Sequence, residues 1–221
     1  MDVAVDRITV PGAGVHLAAT SVTPTQRGGL PILMIHENRG MVPYMVEVAV
    51  ALGEAGHPVV APDLLSRIGG TEAFSGDPAS VSTRQIDDEV HIDDLTAIFD
   101  WMLGHHGHLA VVGFCFGAEM GWQLITRRTP DRAVLYYGIG PSPEAAQRIR
   151  TPVYAVYAED DPRVNATVPP LCRALIDSPA DIVLESFPGT KHAFHDHTRP
   201  DRHHPGAARE VWRRTLACLA G

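Results

Sequence analysis

Cys115 lies in the segment Gly113-Phe114-Cys115-Phe116-Gly117, where a reactive side chain stands between two glycines. The segment follows an apolar run typical of a buried strand and precedes a helical pattern. A strand that turns directly into a helix exposes the tip of the middle side chain, and glycine two residues away on either side avoids a collision. The dipoles of a helix N-terminus also favour a thiolate. The pattern predicts a cysteine nucleophile; the alternative is a buried cysteine that only packs against the start of a helix.

An acid and a base that could serve this cysteine follow it in the chain, each after a later apolar run. Residues 158–164 contain the adjacent acids Asp160 and Asp161, and residues 188–194 contain His192. A histidine can take or hold the thiol proton, and a carboxylate behind it stabilises the charged imidazole. We interpret Asp161 as the acid and His192 as the base. The alternatives are a turn or helix cap for the acids and, for His192, one more surface histidine of a chain rich in them.

Composition excludes several classes of function. The 221 residues are 45% hydrophobic and 20% charged, and the formal net charge is -8. This composition predicts a single packed domain over residues 1–221, and the negative charge disfavours nucleic acid and anionic membranes as partners. Three cysteines are an odd number, no run of about 18 apolar residues occurs, and the N-terminus lacks a signal-peptide pattern. We therefore expect a cytoplasmic protein with free thiols.

The hydropathy pattern predicts an α/β fold that would position these side chains. Residues 7–10 and 15–21 read as an antiparallel hairpin, and apolar runs then alternate with helical patterns. Strands that are apolar on both faces belong to a parallel sheet covered by helices on both sides, so we predict a mostly parallel, twisted sheet of about seven to eight strands. Further strands are predicted at 31–36, 57–61, 108–114, 132–137, 152–157 and 181–187. Helices are predicted at 43–55, 82–103, 118–128, near 144, at 168–176 and at 205–219.

Three other features lead to structural expectations. The connection between Asp63 and Val81 is longer than usual for this kind of fold, which favours a loop that covers the site. The acids of the helix predicted at 82–103 are interpreted as a solvated face. We expect Cys172 and Cys218 to pack into the core from their helices.

Five segments together resemble the dienelactone hydrolase family, also called carboxymethylenebutenolidases, which has the α/β-hydrolase fold. The segments are IHENRG at 35–40, APDL at 61–64, GFCFG at 113–117, AEDDPRV at 158–164 and PGTKHAFH at 188–195. The resemblance implies a triad of Cys115, Asp161 and His192.

The resemblance also implies roles for residues around the nucleophile. Glu37 would lie beside the thiol and keep it protonated at rest, because a negative neighbour disfavours the thiolate. The backbone N–H groups of Asn38 and Phe116 would hold the oxyanion. Arg84 would bind a substrate carboxylate, but Asp196 stands where the family implies a second arginine. We therefore expect uncharged lactones or esters to be preferred over carboxylate-bearing dienelactones.

These observations predict a cofactor-independent hydrolase that cleaves a dienelactone-like lactone or ester through an acyl-enzyme on Cys115. One alternative is an esterase or thioesterase for uncharged substrates unrelated to dienelactones. Another is a catalytically silent small-molecule-binding protein with the same fold. The histidines between 192 and 204 lie in one polar loop, which disfavours a metal site, and no phosphate-binding glycine motif is present. We expect no metal and no cofactor, and the sequence leaves the oligomeric state open.

Overall fold

The computed structural model describes residues 2–26, 28–74, 83–176 and 178–220. The chain forms two compact units, residues 1–111 and 112–221. The strands found within the described ranges are β1 (Val3–Pro11), β2 (His16–Pro24), β3 (Ile32–Ile35), β4 (Val59–Pro62), β5 (Ala110–Phe114), β6 (Arg132–Tyr136), β7 (Val153–Asp160) and β8 (Ile182–Lys191). The α-helices are α1 (Pro43–Glu54), α2 (Asp88–His106), α3 (Phe116–Ile125), α4 (Pro143–Ala146), α5 (Pro162–Asn165), α6 (Val168–Leu175) and α7 (Pro205–Ala220). The predicted α/β class, with about seven to eight mostly parallel strands, is confirmed.

The first unit contains the predicted hairpin. Its strands neighbour one another in the order β1-β2-β4-β3. β1 and β2 are antiparallel, β2 and β4 are antiparallel, and β3 and β4 are parallel, with Ile32 opposite Val59. Every residue of β3 and β4 is buried. Continuous apolar sequence forms these two strands because both of their faces are covered.

Helix α2 begins later than predicted. It starts at Asp88 instead of residue 82, which lies outside the described residues, and Thr83–Gln85 form a short 3-10 helix. Asp87 has an extended backbone at the N-cap position, and Asp88 and Glu89 occupy the first turn. Acids at that position are stabilised by the helix dipole, so the start of α2 coincides with the acid run.

The acids of α2 do not all lie on a solvated face, and that expectation was wrong for Asp94. Its side chain is fully buried and accepts hydrogen bonds from the guanidinium of Arg67, whose Nε lies 2.8 Å from Oδ2. Its Oδ1 also accepts the backbone N–H of Ala13 at 2.8 Å. A buried carboxylate is tolerated when it is paired and hydrogen-bonded in this way.

The connection after Asp63 is described only as far as Phe74. It contains two 3-10 helices, Ser66–Ile68 and Thr71–Phe74. Residues 75–82, where the predicted site-covering loop continues, lie outside the described residues.

The second unit carries the last three residues of β5 together with β6, β7 and β8, and these strands neighbour one another in sequence order. β6, β7 and β8 run parallel, with Ala133 opposite Val153 and Val153 opposite Ile182. β8 extends to Lys191, four residues past the predicted end, because its last residues still pair with β7 beyond a register shift near Ala158. No described helix is both long enough and apolar enough to span a membrane.

Replacing Asp94 with Ala should lower the free energy of unfolding by about 3 kcal/mol, because the change leaves the guanidinium of Arg67 and the N–H of Ala13 without their shared acceptor. Urea denaturation measures the loss. Asp93→Ala is the matched control, since Asp93 is exposed on the same helix, and it should change stability by less than about 0.5 kcal/mol. Equal losses in the two variants would contradict a structural role for the Arg67–Asp94 pair.

Candidate active site

Cys115 occupies a sharp turn between β5 and α3. Its backbone has φ 53° and ψ −112°, a conformation that residues other than glycine rarely adopt. Its N–H donates to the carbonyl of Tyr136 at 2.9 Å, and its C=O accepts the N–H groups of Ala118 and Glu119, both at 3.1 Å. These bonds hold the strained residue between the sheet and the first turn of the helix, with the sulfur only partly buried.

Steric constraints require the first glycine of the GFCFG segment, Gly113. A Cβ at Gly113 would lie 2.3 Å from the carbonyl oxygen of Gly117 and 2.8 Å from the Cα of Ala118. The helix therefore starts so close to the strand that position 113 has no room for a side chain. This close approach agrees with the strand-turn-helix interpretation of the sequence.

The side chains of Cys115, His192 and Asp161 form a chain of contacts within the second unit. His192 Nε2 lies 3.0 Å from Cys115 Sγ, and His192 Nδ1 hydrogen-bonds Asp161 Oδ2. The Asp161 side chain is 7% exposed and that of His192 19%. The structure thus brings together the three side chains that the sequence singles out.

The backbone around Asp161 directs its side chain toward the histidine. Asp161 follows β7 directly and stands at the N-cap position of α5, but its side chain makes no cap hydrogen bond. Asn165 fixes this corner, because its Nδ2 donates to the carbonyls of Ala158 and Glu159 at 2.9 and 3.0 Å. Asp160 is exposed. The helix-cap alternative therefore describes the backbone position of Asp161 and not its side chain.

His192 follows the last residue of β8 and is flanked by strained backbone. Ala193 has φ 66°, and Tyr137, which follows β6, has φ 42°. The Tyr137 ring packs against the imidazole of His192, with their centroids 4.9 Å apart. Our sequence analysis did not predict a role for Tyr137. Its position at the end of the strand predicted at 132–137, directly before Gly138, was the available signal.

The pKa of His192 is set by opposing effects. Burial of the imidazole lowers it, whereas the hydrogen bonds to Asp161 and Cys115 and the charges of those two groups raise it. The net effect raises the pKa of His192 to about 9. When it is protonated, the ring carries a hydrogen on both nitrogens and can donate from Nε2 toward the sulfur.

Glu37 and Asn38 belong to the first unit, where they form the turn after β3. Glu37 is buried and its Oε1 accepts hydrogen bonds from Nε of Arg39 at 2.7 Å and from the Arg39 N–H at 3.2 Å. The carbonyl of Asn38 accepts the N–H of Thr83 at 3.3 Å. The roles of Glu37, Asn38 and Phe116 beside the nucleophile stay predictions.

Two residues considered for substrate recognition bind other groups of the protein. The guanidinium of Arg84 is about half exposed and pairs with Asp88 at 3.0 Å, so its role with substrate stays a prediction. Asp196 is 2% exposed, and its Oδ1 accepts from the N–H and hydroxyl of Thr198 at 2.9 and 2.6 Å. Nε of Arg199 lies 3.4 Å from Oδ2 of Asp196. Because this charge is buried and already offset, it would repel a substrate carboxylate less than the sequence suggests.

His195 is not one of the surface histidines. It is partly buried against the rings of Phe114, Tyr136 and Trp212. Burial, with a smaller effect from His203, lowers the pKa of His195 to about 4.

Within the described ranges, no three His, Cys, Asp or Glu side chains are grouped so that they could hold a metal ion.

The other two cysteines, Cys172 and Cys218, are less buried than predicted. Cys172 is exposed on α6, so the prediction that it packs into the core was wrong, and Cys218 is partly buried on α7. Burial raises the pKa of the Cys218 thiol. Cys172 is thus an accessible thiol against which the reactivity of Cys115 can be compared.

Comparison with known proteins places these features in a family context. The profile of the Dienelactone hydrolase family matches residues 17–221. A carboxymethylenebutenolidase of Rhodococcus opacus is 26% identical over 213 residues, which cover 91% of this chain and 83% of that protein. A Saccharolobus solfataricus protein assigned as a carboxymethylenebutenolidase is 33% identical over 141 residues, 63% of this chain but only 54% of that protein. A Klebsiella pneumoniae crystal structure assigned to the dienelactone hydrolases superposes with a TM-score of 0.86 at 23% identity, covering 100% of this chain and 99% of that one. The predicted α/β-hydrolase fold is confirmed.

The imidazole of His192 should titrate near pH 9 in the wild type and at lower pH in Asp161→Asn, which removes the charge that favours the protonated ring. Because the folded pKa is raised above the unfolded value of 6.5, the stability that this proton contributes is complete below about pH 6.5 and is lost as the pH rises through about 9. NMR titration, with His192→Gln to assign the signal, measures both midpoints. A wild-type midpoint below 7 would contradict the coupling to Asp161.

Proposed function

Because the chain belongs to the dienelactone hydrolase family, we propose that it is a cofactor-independent hydrolase that cleaves a lactone or ester through an acyl-enzyme on Cys115. Family membership supports a dienelactone-like hydrolase activity. The observation that carries the mechanism is the contact of Cys115 Sγ with His192 Nε2, with Asp161 on the far side of the ring. A nucleophile, a base and a group that orients the base are the parts that covalent catalysis requires.

In the proposed reaction His192 takes or holds the thiol proton of Cys115, the resulting thiolate attacks the substrate carbonyl carbon, and the carbonyl oxygen becomes an oxyanion. The backbone N–H groups of Asn38 and Phe116 stabilise that charge. The intermediate then collapses, the carbon–oxygen bond to the leaving group breaks, and Nε2 of His192 gives its proton to the alkoxide. A water molecule, deprotonated by His192, attacks the thioester and releases the acid with the thiolate restored. Asp161 keeps the imidazole oriented and stabilises it when it is charged.

Glu37 has the proposed role of keeping the thiol protonated in the absence of substrate. A carboxylate near the sulfur opposes ionisation, whereas the protonated His192 favours it, so movement of one charge changes the thiolate population. The ion pair of Glu37 with Arg39 supports this proposal, because it offers the carboxylate a second partner. Movement of the Glu37 carboxylate from the sulfur to Arg39 when substrate binds would then allow the Cys115 thiol to ionise.

Uncharged esters, thioesters or lactones unrelated to dienelactones remain the alternative substrates. This alternative is supported by Arg84, which pairs with Asp88, and by Asp196, an acid at the position where the family implies an arginine. Comparing kcat/KM for a dienelactone and its methyl ester separates the two substrate classes.

We also propose that the chain works as one domain, since the family match runs without interruption across residue 111.

Cys115→Ala should abolish turnover of lactones and aryl esters, because no other group in the proposed mechanism can form the acyl-enzyme. Iodoacetamide should alkylate Cys115 of the wild type at neutral pH faster than the exposed Cys172, since the contact with His192 favours the thiolate of Cys115 even while Glu37 opposes its ionisation, and Cys172 has the reactivity of an ordinary thiol. Peptide mass spectrometry with time measures both rates. Cys172→Ala is the matched control and should keep full activity. Near wild-type turnover in Cys115→Ala would reject the mechanism, and equal alkylation of the two cysteines would favour a silent binding protein.

Glu37→Gln should make the alkylation of Cys115 without substrate severalfold faster at neutral pH, because it removes a negative charge that opposes the thiolate. Glu54→Gln, an exposed site at the end of α1, is the control and should leave the rate unchanged. The same iodoacetamide assay applies. An unchanged or slower rate in Glu37→Gln would mean that Glu37 does not act on the resting thiol.

A further inference from the structure

The turn that contains Asn38 is hydrogen-bonded at Met41 to a threonine thirty residues later in the chain. The N–H of Met41 donates to Oγ1 of Thr71 at 2.8 Å. Thr71 begins the 3-10 helix Thr71–Phe74 and does not belong to any segment that carries the family resemblance. The hydrogen bond therefore links the end of the turn to a separate, later part of the first unit.

Thr71 is itself held by a buried carboxylate. Its N–H donates to Oδ2 of Asp63 at 2.7 Å, while Oδ1 of Asp63 accepts the N–H of Leu65 at 3.0 Å. Asp63 is 6% exposed, follows β4 directly, and donates its own N–H to the carbonyl of Ala18 in β2 at 2.8 Å. The Thr71 hydroxyl is thus fixed relative to the sheet. This arrangement also explains the acid of the APDL segment, for which the proposed reaction has no direct use.

The approach of the turn to Thr71 is so close that it requires glycine. Gly40 has φ 85°, and a Cβ there would lie 2.1 Å from Oγ1 of Thr71. The N–H of Gly40 also donates to the carbonyl of Glu37 at 3.1 Å, which closes the turn. The turn therefore has little freedom to shift while the hydroxyl stays in place.

The beginning of the turn is held from other directions. His36 Nε2 accepts the N–H of Leu64 at 3.0 Å, so its Nδ1 carries the hydrogen and donates to the carbonyl of Glu37 at 2.6 Å. The carbonyl of Asn38 accepts from Thr83. These bonds restrain the backbone at Glu37, Asn38 and Met41, on both sides of the Asn38 N–H.

We propose that Thr71, held by Asp63, is a positioning residue that sets the Asn38 N–H for the oxyanion; the inference rests on the proposed function. Oxyanion donors accelerate a reaction only when they are fixed before the charge develops, and a small displacement loses much of the effect. Thr71 does not touch the reacting atoms in this proposal. Its contribution is to the rate of the chemical step and not to substrate affinity.

The test compares Thr71→Ala with Thr71→Ser, two variants that differ by the hydroxyl alone. With p-nitrophenyl acetate, Thr71→Ala should lower kcat about tenfold or more while KM changes by less than about threefold. The reason is that a displaced N–H donor stabilises the transition state less, whereas it contributes little to substrate binding. Thr71→Ser should recover most of kcat. Alkylation of Cys115 by iodoacetamide should stay at the wild-type rate in both variants, because displacement of iodide creates no oxyanion.

The possible outcomes separate this inference from the proposed function. Wild-type kcat in Thr71→Ala, or equal losses in Thr71→Ala and Thr71→Ser, would overturn the positioning role. A parallel fall of kcat and alkylation rate would also overturn it, because the defect would then reach the nucleophile. Asp63→Asn, which removes one acceptor oxygen, should lower kcat in the same way and provides the test if Thr71→Ala does not fold. Retained turnover in Cys115→Ala would instead reject the proposed function, whatever Thr71 does.

Discussion

The turn from β5 into α3 is the constraint on which the candidate site depends. No side chain fits at Gly113 because the first turn of α3 lies against the strand, and at this turn Cys115 has a positive φ of 53°. The hydrogen bond from the N–H of Cys115 to the carbonyl of Tyr136 connects this residue to β6. The sulfur therefore has a fixed position at the end of the sheet. Other groups must reach that position, and the ends of β7 and β8 supply Asp161 and His192.

The proton on His192 connects geometry with chemistry in this arrangement. Partial burial of the ring disfavours its charge and lowers the pKa of His192. The hydrogen bond to Asp161 and the contact with Cys115 outweigh the burial and raise the pKa of His192 to about 9. Asp160, one residue earlier, is exposed, whereas Asp161 is hydrogen-bonded to the ring.

Much of the fold was predictable from the sequence because hydropathy and turn residues report on local structure. The strands, the helices and their order follow from apolar runs and helical spacing, and the contact of Cys115, Asp161 and His192 follows from the glycine pattern and from the chain order of acid and base. The pairs Arg67–Asp94 and Met41–Thr71 were not predictable. They join positions 27 and 30 residues apart, and such pairings leave no periodic trace in a single sequence.

The distribution of backbone strain indicates where the fold gives up stability. The described residues other than glycine with positive φ are Cys115, Tyr137 and Ala193, and all three lie at or beside the Cys115–His192 contact. Such conformations cost on the order of 1–3 kcal/mol each and persist only where the surrounding structure imposes them. Here the buried rings of Phe114, Phe116 and Phe194 are adjacent in the chain to the strained residues. Local conformational preference would place none of the three backbones in this region, so core packing and the backbone hydrogen bonds of Cys115 together keep the sulfur and the imidazole in contact.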